Sequence, residues 1–210
     1  MKDLFWMKLY RRGHVSLIVI TLAFVFLLKT TWLRWGDLVI DLGREIYLPV
    51  QLAGGALLYR DVFYLYGPLP PYFNALLYKL FGVHILSLAA GGMLVTALTS
   101  ILVYKLARMF VNVFFATLTV LAFLFVLAFG HYVPIGNYNF ILPYSYPATH
   151  AVLFSLGALY FFFRALDRDK ARDLWGAGLC VFLTMVSRAE IGAMLAAAFV
   201  AAGIMMRCSG

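Results

Sequence analysis

Acidic side chains are scarce in this chain. Nine Asp and Glu stand against 17 Lys and Arg in 210 residues, and charged residues of both signs make up only 12%. A soluble domain is about a quarter charged, so this sequence has too little polar surface to coat a water-soluble globule. Cysteine is nearly absent: Cys180 and Cys208 have neither metal-site spacing nor partners for a disulfide framework, and both are read as incidental. No Asn-x-Ser/Thr sequon occurs, so a glycosylated loop is not indicated. The sequence also lacks a phosphate-cradling Gly-rich loop, a Cys/His zinc pattern and a nucleophile elbow.

What the chain has in abundance is hydrocarbon. Hydrophobic residues make up 64% of it and the mean hydropathy is +0.92. This composition predicts an all-α polytopic membrane protein. Windows of about 20 apolar residues place six spans, near 15–33, 84–104, 111–129, 148–165, 174–188 and 191–206. The basic N-terminus followed by an apolar run looks like a secretory signal, but no small-residue cleavage site follows, and a retained span is expected. The net charge of +8 is scattered between spans instead of gathered on a polar face. It reads as an orientation signal and not as a nucleic-acid surface. Eleven basic residues fall on the side of the N-terminus, at Lys105 and Arg108, between Arg164 and Asp173, and at Arg207. The other side has six, mostly in one long loop, so the N-terminus is expected to be cytoplasmic and loop 34–83 extracytoplasmic.

That loop holds four of the nine acids: Asp37, Asp41, Glu45 and Asp61. Its apolar spacing predicts an amphipathic helix over 37–53, stopped by Gly54-Gly55, and a second from Pro70 to Phe81, ended by Gly82. Two helices lying in the membrane interface fit this pattern. Asp37, Asp41 and Glu45 recur every fourth residue, which stacks like charges on one face at a cost of roughly 0.2–0.5 kcal/mol per exposed pair. Arg44 offsets part of that. One reading makes Asp37 an N-cap and the other two a solvated face; the other makes one carboxylate a general base or metal ligand at the membrane surface. Asp61 reads as a turn cap or a second acid.

Taken in order, "DLGREIYLPVQLAGGALLYRDVFYLYGPLPPYFNALLYKLFG" resembles the first extracytoplasmic loop of the GT-C glycosyltransferases. The branch in view is the bacterial one related to protein O-mannosyltransferases and to the transferases that modify lipopolysaccharide. The features that carry the resemblance are an acid near the end of the first span, G-R-E, a G-x-x-L-Y-R-D turn, and Y-G-P-L before a helix ending in L-F-G. The later "NYNFILPYSYPATHAVLFSLGALYFFFR" and "SRAE" extend it over most of residues 35–192. The resemblance implies one GT-C-like transmembrane domain over 1–210, multi-pass in the cytoplasmic membrane. It implies a transferase that moves a sugar from a polyprenyl-phosphate donor to a glycan, lipid or protein acceptor outside that membrane. An Asp of the first loop is then the base, Asp41 or Asp37, with Asp41 preferred because it belongs to the D-x-G-R-E match. In some members carboxylates hold a divalent metal. Family members carry more spans than this chain supplies, so an N-terminal part of a longer fold, or a reduced homologue, is expected.

The substrate-binding expectation covers Arg44, Glu45, Arg60, Asp61 and Tyr66 of the first loop, Tyr138 and Tyr144 of the aromatic loop 131–150, and Arg188 and Glu190 of "SRAE". The aromatic loop reads equally as an ordinary interfacial belt, and Arg188 with Glu190 as a plain ion pair. Because the 14 apolar residues before Arg188 reach only about 21 Å, the pair is expected below the membrane surface, where charges mark function. Two stretches read as structural: "GGMLVTALTS" as a close-packing face and "RALDRDKARD" as a solvated turn. Two alternatives belong to other classes, a lipid or sugar-lipid transporter and a non-catalytic membrane subunit. No convincing internal repeat supports the transporter.

Overall fold

The computed structural model describes residues 2–34, 42–130, 139–168 and 170–208. The protein is an all-α, multi-pass membrane protein, with no strands among the described residues. Its helices are α1 (Lys2–Thr31), α2 (Leu42–Ala53), α3 (Leu69–Phe81), α4 (Ile85–Phe110), α5 (Val113–Ala122), α6 (Tyr146–Arg168), α7 (Ala171–Met185) and α8 (Ala189–Cys208). All six expected apolar segments are helical. Three of them, Gly13–Thr31, Ile85–Phe110 and Tyr146–Arg168, are long and apolar enough to cross a bilayer individually. The others are shorter: α7 has 15 residues, about 22 Å of rise. Large apolar side chains such as Leu17, Phe114, Leu179 and Ile204 point outward, which suits lipid and would be costly in water.

The two short helices of the first loop form within the expected segments, α2 over 42–53 of the expected 37–53, residues 37–41 lying outside the described residues. Gly55, at φ 102°, follows the end of α2, and Gly82, at φ 88°, caps α3; both conformations suit glycine because it lacks a Cβ. Pro70 and Pro71 open α3, where a missing N–H costs no helical hydrogen bond. Pro49 is different: it lies inside α2, where it removes one backbone bond. Leu48, Leu52, Leu58, Tyr64 and Ala75 form a small core that joins α2, the turn after it and α3.

The main core lies between α1, α2, α4, α5 and α6, around Leu27, Leu42, Leu88, Val120, Phe129 and Tyr146. The last turn of α5 widens to a π-helix over Phe123–Ala128. The Phe129 N–H bonds back to the Leu124 carbonyl, and the freed Ala128 carbonyl accepts from Phe140 at 2.9 Å. The wide turn thus anchors the irregular segment 139–145.

Gly91 and Gly92 show what the small residues of α4 are for. Gly91 lies against Leu77 of α3, and Gly92 against the backbone carbonyl of Ile141. A Cβ at Gly92 would overlap that carbonyl, so the close partner there is an irregular segment and not a helix. Thr96, Thr99 and Ser100 return their hydroxyls to carbonyls of their own helix, so packing accounts for the whole stretch.

The connector after α6 departs from the expected solvated turn. Asp173 is fully buried and accepts from Arg164 Nη2 at 2.9 Å, clamping α6 to α7. Arg164 is nine residues upstream in a different helix, so no local spacing rule for ion pairs marks the pair.

Candidate functional site

One end of the bundle gathers α2, α3, the start of α6 and the α7–α8 turn. The contact that organises it is made by backbone. The Gly67 N–H donates to the Ser187 carbonyl and the Leu69 N–H to the Val186 carbonyl, both at 3.1 Å. These bonds lay the Y-G-P-L segment across the turn that carries "SRAE". Gly67 is required by proximity, since a Cβ there would overlap the Val186 carbonyl. Pro68 then starts α3, and Tyr66 is left beside the turn.

Two arginines from distant parts of the sequence converge on Tyr66. The Arg188 guanidinium carbon lies 5.0 Å from the ring centroid, and that of Arg44 lies 5.7 Å from the same centroid. Arg44 also lies 5.9 Å from the Tyr64 ring. Each arginine is held by an acid on its own element. Arg44 Nη2 bonds Glu45 Oε1 at 2.8 Å, and Arg188 Nε bonds Glu190 Oε1 at 2.7 Å. The expected ion pair of "SRAE" is present, and its arginine has a second engagement with the aromatic ring. Cation–π contact of this kind holds a guanidinium without consuming its hydrogen-bond donors.

Glu45 corrects the expectation of a solvated face. It is 3% exposed, while Arg44 stays half-exposed. Burial raises the Glu45 carboxyl above its ordinary range, and Arg44 and the backbone of Tyr146 pull it partly back. A carboxyl raised in the folded state contributes stability fully below its unfolded pKa and loses it as pH rises through the folded value. Ionising Glu45 therefore costs the fold more than ionising a free carboxyl, a cost that its bond to Arg44 partly offsets. Tyr64, buried against Glu45 and Arg44, is raised too, chiefly by burial. Among the described residues the hydroxyls of Tyr64, whose ring lies against Arg44, and of Tyr146, beside Glu45, have no hydrogen-bond partner.

The remaining expected residues divide. Arg60 and Asp61 form an exposed pair at 2.8 Å, and Asp61 accepts the Leu57 N–H. Asp61 is the turn cap, its pKa lowered first by Arg60 and then by that N–H. Tyr144 lines a separate groove of about 240 Å³ between the π turn and the start of α6. Asp37, Asp41 and Tyr138 lie outside the described residues. Sequence reasoning missed Tyr64 and Tyr146. The alternation Tyr64-x-Tyr66 before Gly67-Pro68 is the one signal that marks Tyr64. Tyr146 is marked only by the proline after it, a helix-start cue with no functional content.

The described acids of this end are engaged by arginines, while Asp37 and Asp41, candidates for a base or a metal ligand, lie outside the described residues. Glu45, Asp61 and Glu190 are each paired with an arginine, and no three His, Cys, Asp or Glu come together among the described residues. A site made of two guanidiniums, buried phenols and paired acids suits an oxyanion better than a cation.

The Gly67→Ala variant is expected to lower stability by about 1–3 kcal/mol, the usual cost of overpacking, and to loosen Tyr66 from Arg188. Thermal unfolding in detergent measures it, with Gly178→Ala as reference. Gly178 has open space around it, so its variant is expected to unfold no earlier than the parent.

No curated protein and no solved structure matches the chain. A family does. Residues 66–207, about two thirds of the chain, match it from the Tyr66 that the arginines share through the "SRAE" turn that supplies one of them. The protein belongs to the dolichyl-phosphate-mannose-protein mannosyltransferase family, of the GT-C glycosyltransferase type.

Proposed function

We propose that the protein transfers a sugar from a polyprenyl-phosphate carrier to an acceptor on the extracytoplasmic face of the cytoplasmic membrane, with its N-terminus cytoplasmic. The observation that carries this reading is the convergence of Arg44 and Arg188 on the Tyr66 ring. A lipid carrier presents its phosphate where the hydrocarbon ends. Two guanidiniums fixed at that level by aromatic contact and acid partners are suited to bidentate phosphate recognition.

The chemistry is an inverting displacement. Asp41, with Asp37 as the alternative, takes the proton of the acceptor hydroxyl as its oxygen bonds to the anomeric carbon. The bond from that carbon to the phosphate oxygen breaks on the opposite side. The departing phosphate keeps the electron pair, and Arg44 and Arg188 meet its charge. Glu45 and Glu190 orient the arginines. The family favours this reading over a lipid transporter.

The test is turnover of a radiolabelled polyprenyl-phosphate sugar by the purified protein, read as release of polyprenyl phosphate with retention of label on acceptor. Binding of the donor without any turnover would make the protein a non-catalytic subunit. The side of the membrane is tested by a Leu57→Cys variant with Cys180 and Cys208 replaced. Leu57 is exposed, and an impermeant thiol reagent is expected to label it in whole cells. Labelling only after the membrane is opened would reverse the orientation.

A further inference from the structure

Four basic side chains gather at the end of the bundle remote from Arg44 and Arg188. Lys105 and Arg108 come from the end of α4, and Arg164 and Arg168 from the end of α6. With Tyr160 and Asp167 they line a cavity of about 280 Å³. Arg164 is committed to Asp173, and its guanidinium lies 5.4 Å from the Tyr160 ring centroid. The Lys105 ammonium lies 5.8 Å from the same centroid. Arg108 donates to the Val111 carbonyl at 2.6 Å, closing the end of α4. One aromatic ring thus has two cations against it, and of the two only Arg164 is paired with an acid among the described residues, Asp173.

Cations at helix C-termini oppose the macrodipole, and basic residues at span ends follow from membrane orientation. Those two effects explain the charges but not the shape around them. Lys105, together with Tyr104, also lines an apolar groove of about 400 Å³ between α1 and α4, walled by Leu17, Ile20 and Phe24. Arg108 also lines a second apolar groove, of about 590 Å³ between α1 and α5. The cationic cavity therefore meets two hydrocarbon-lined grooves, one at each of two basic residues three positions apart on α4. From Tyr146, beside Glu45, to Arg164 is 18 residues of α6, about 27 Å along the helix. That is close to one hydrocarbon thickness, so this cavity and the Arg44–Arg188 site lie at opposite faces of the membrane.

We propose that this junction binds an anionic glycerophospholipid. The phosphate sits among Lys105, Arg108 and Arg168, and the two acyl chains lie in the α1–α4 and α1–α5 grooves. Basic pockets between transmembrane helices recognise phospholipid head groups by this chemistry. Two grooves suit a two-chain lipid and leave one unfilled by a single-chain polyprenyl phosphate. A free phosphate would use neither.

The experiment measures binding to the intact protein in detergent, by native mass spectrometry and by the rise of the unfolding temperature. The probes are phosphatidylglycerol, phosphatidylcholine, polyprenyl monophosphate and inorganic phosphate. Phosphatidylglycerol is expected to stay bound when polyprenyl monophosphate is added, and to raise the unfolding temperature more than phosphatidylcholine or inorganic phosphate. Lys105 and Arg168 are both exposed, so the double variant Lys105→Gln with Arg168→Gln is expected to fold. It should bind phosphatidylglycerol roughly tenfold or more weakly, as the loss of about 1 kcal/mol per basic residue requires. Leu17→Trp, which fills one groove without touching a charge, is expected to weaken the same lipid and leave inorganic phosphate unaffected. Equal protection by phosphatidylcholine or by inorganic phosphate overturns the proposal, as does full phosphatidylglycerol affinity in the double variant. A polyprenyl monophosphate that outcompetes phosphatidylglycerol overturns the two-chain assignment.

Discussion

The Asp41→Asn variant is expected to transfer sugar about 100-fold more slowly, or worse, while still binding the donor. That is the usual scale for losing a general base. The substitution keeps the size of the side chain and removes its basicity, so the acceptor hydroxyl must attack with its proton in place. Leu42, the next residue, is fully buried at the start of α2, and Arg44 and Glu45 follow in the first turn. The expected base therefore directly precedes the helix that carries Arg44, one of the two arginines proposed to meet the phosphate. The measurement is single-turnover transfer at saturating donor, with Asp37→Asn in parallel. Near-normal turnover in Asp41→Asn with loss in Asp37→Asn moves the role to Asp37. Near-normal turnover in both defeats carboxylate base catalysis by this loop.

The helices were largely legible because the physics that sets them is local. A window of apolar residues makes a span whatever it packs against, and Gly54-Gly55, Pro70 and Gly82 punctuate the first loop through their own backbone restrictions. The π turn over Phe123–Ala128 was not legible. "FLFVLA" is apolar throughout, and the widened turn is tied to a carbonyl that accepts from Phe140, beyond the helix. The solvated-face reading of Glu45 fails for a related reason. Its spacing from Asp37 and Asp41 suggested a solvated stripe, but the face of α2 carrying Leu42, Glu45, Leu48 and Leu52 is the buried one, and a backbone bond from the start of α6 meets Glu45 there. The site divides the same way. "SRAE" announced its ion pair through local spacing, whereas the meeting of Arg188 with Tyr66 and Arg44 depends on two backbone bonds between distant segments. The individual motifs were visible in the sequence, and their junction was visible only in three dimensions.

Exchanging the charges of "SRAE", Arg188→Glu with Glu190→Arg, is expected to leave the protein folded and to abolish detectable donor binding. The pair itself tolerates exchange, because Arg188 and Glu190 meet near the surface through a single 2.7 Å bond and surface pairs contribute little to stability. The environment of Arg188 does not tolerate it. A carboxylate in its place would face the electron-rich Tyr66 ring and present negative charge to the carrier phosphate. Arg44 alone would then have to hold that phosphate. Since the exchange also removes the contact with Tyr66, Arg188→Lys separates the two effects. Lysine preserves the positive charge, the ion pair and a cation over the ring, but loses the planar fork that grips a phosphate at two points. A purely structural Arg188 predicts that Arg188→Lys binds donor normally. The phosphate role predicts donor binding about tenfold weaker or worse, in keeping with a lost charge-assisted hydrogen bond, at an unchanged unfolding temperature. The readout is binding of radiolabelled polyprenyl monophosphate beside thermal unfolding of the same preparations. Parent-like affinity in the folded exchange variant would remove Arg188 from the phosphate site and leave Arg44 as the cation of the Tyr66 junction to be tested next.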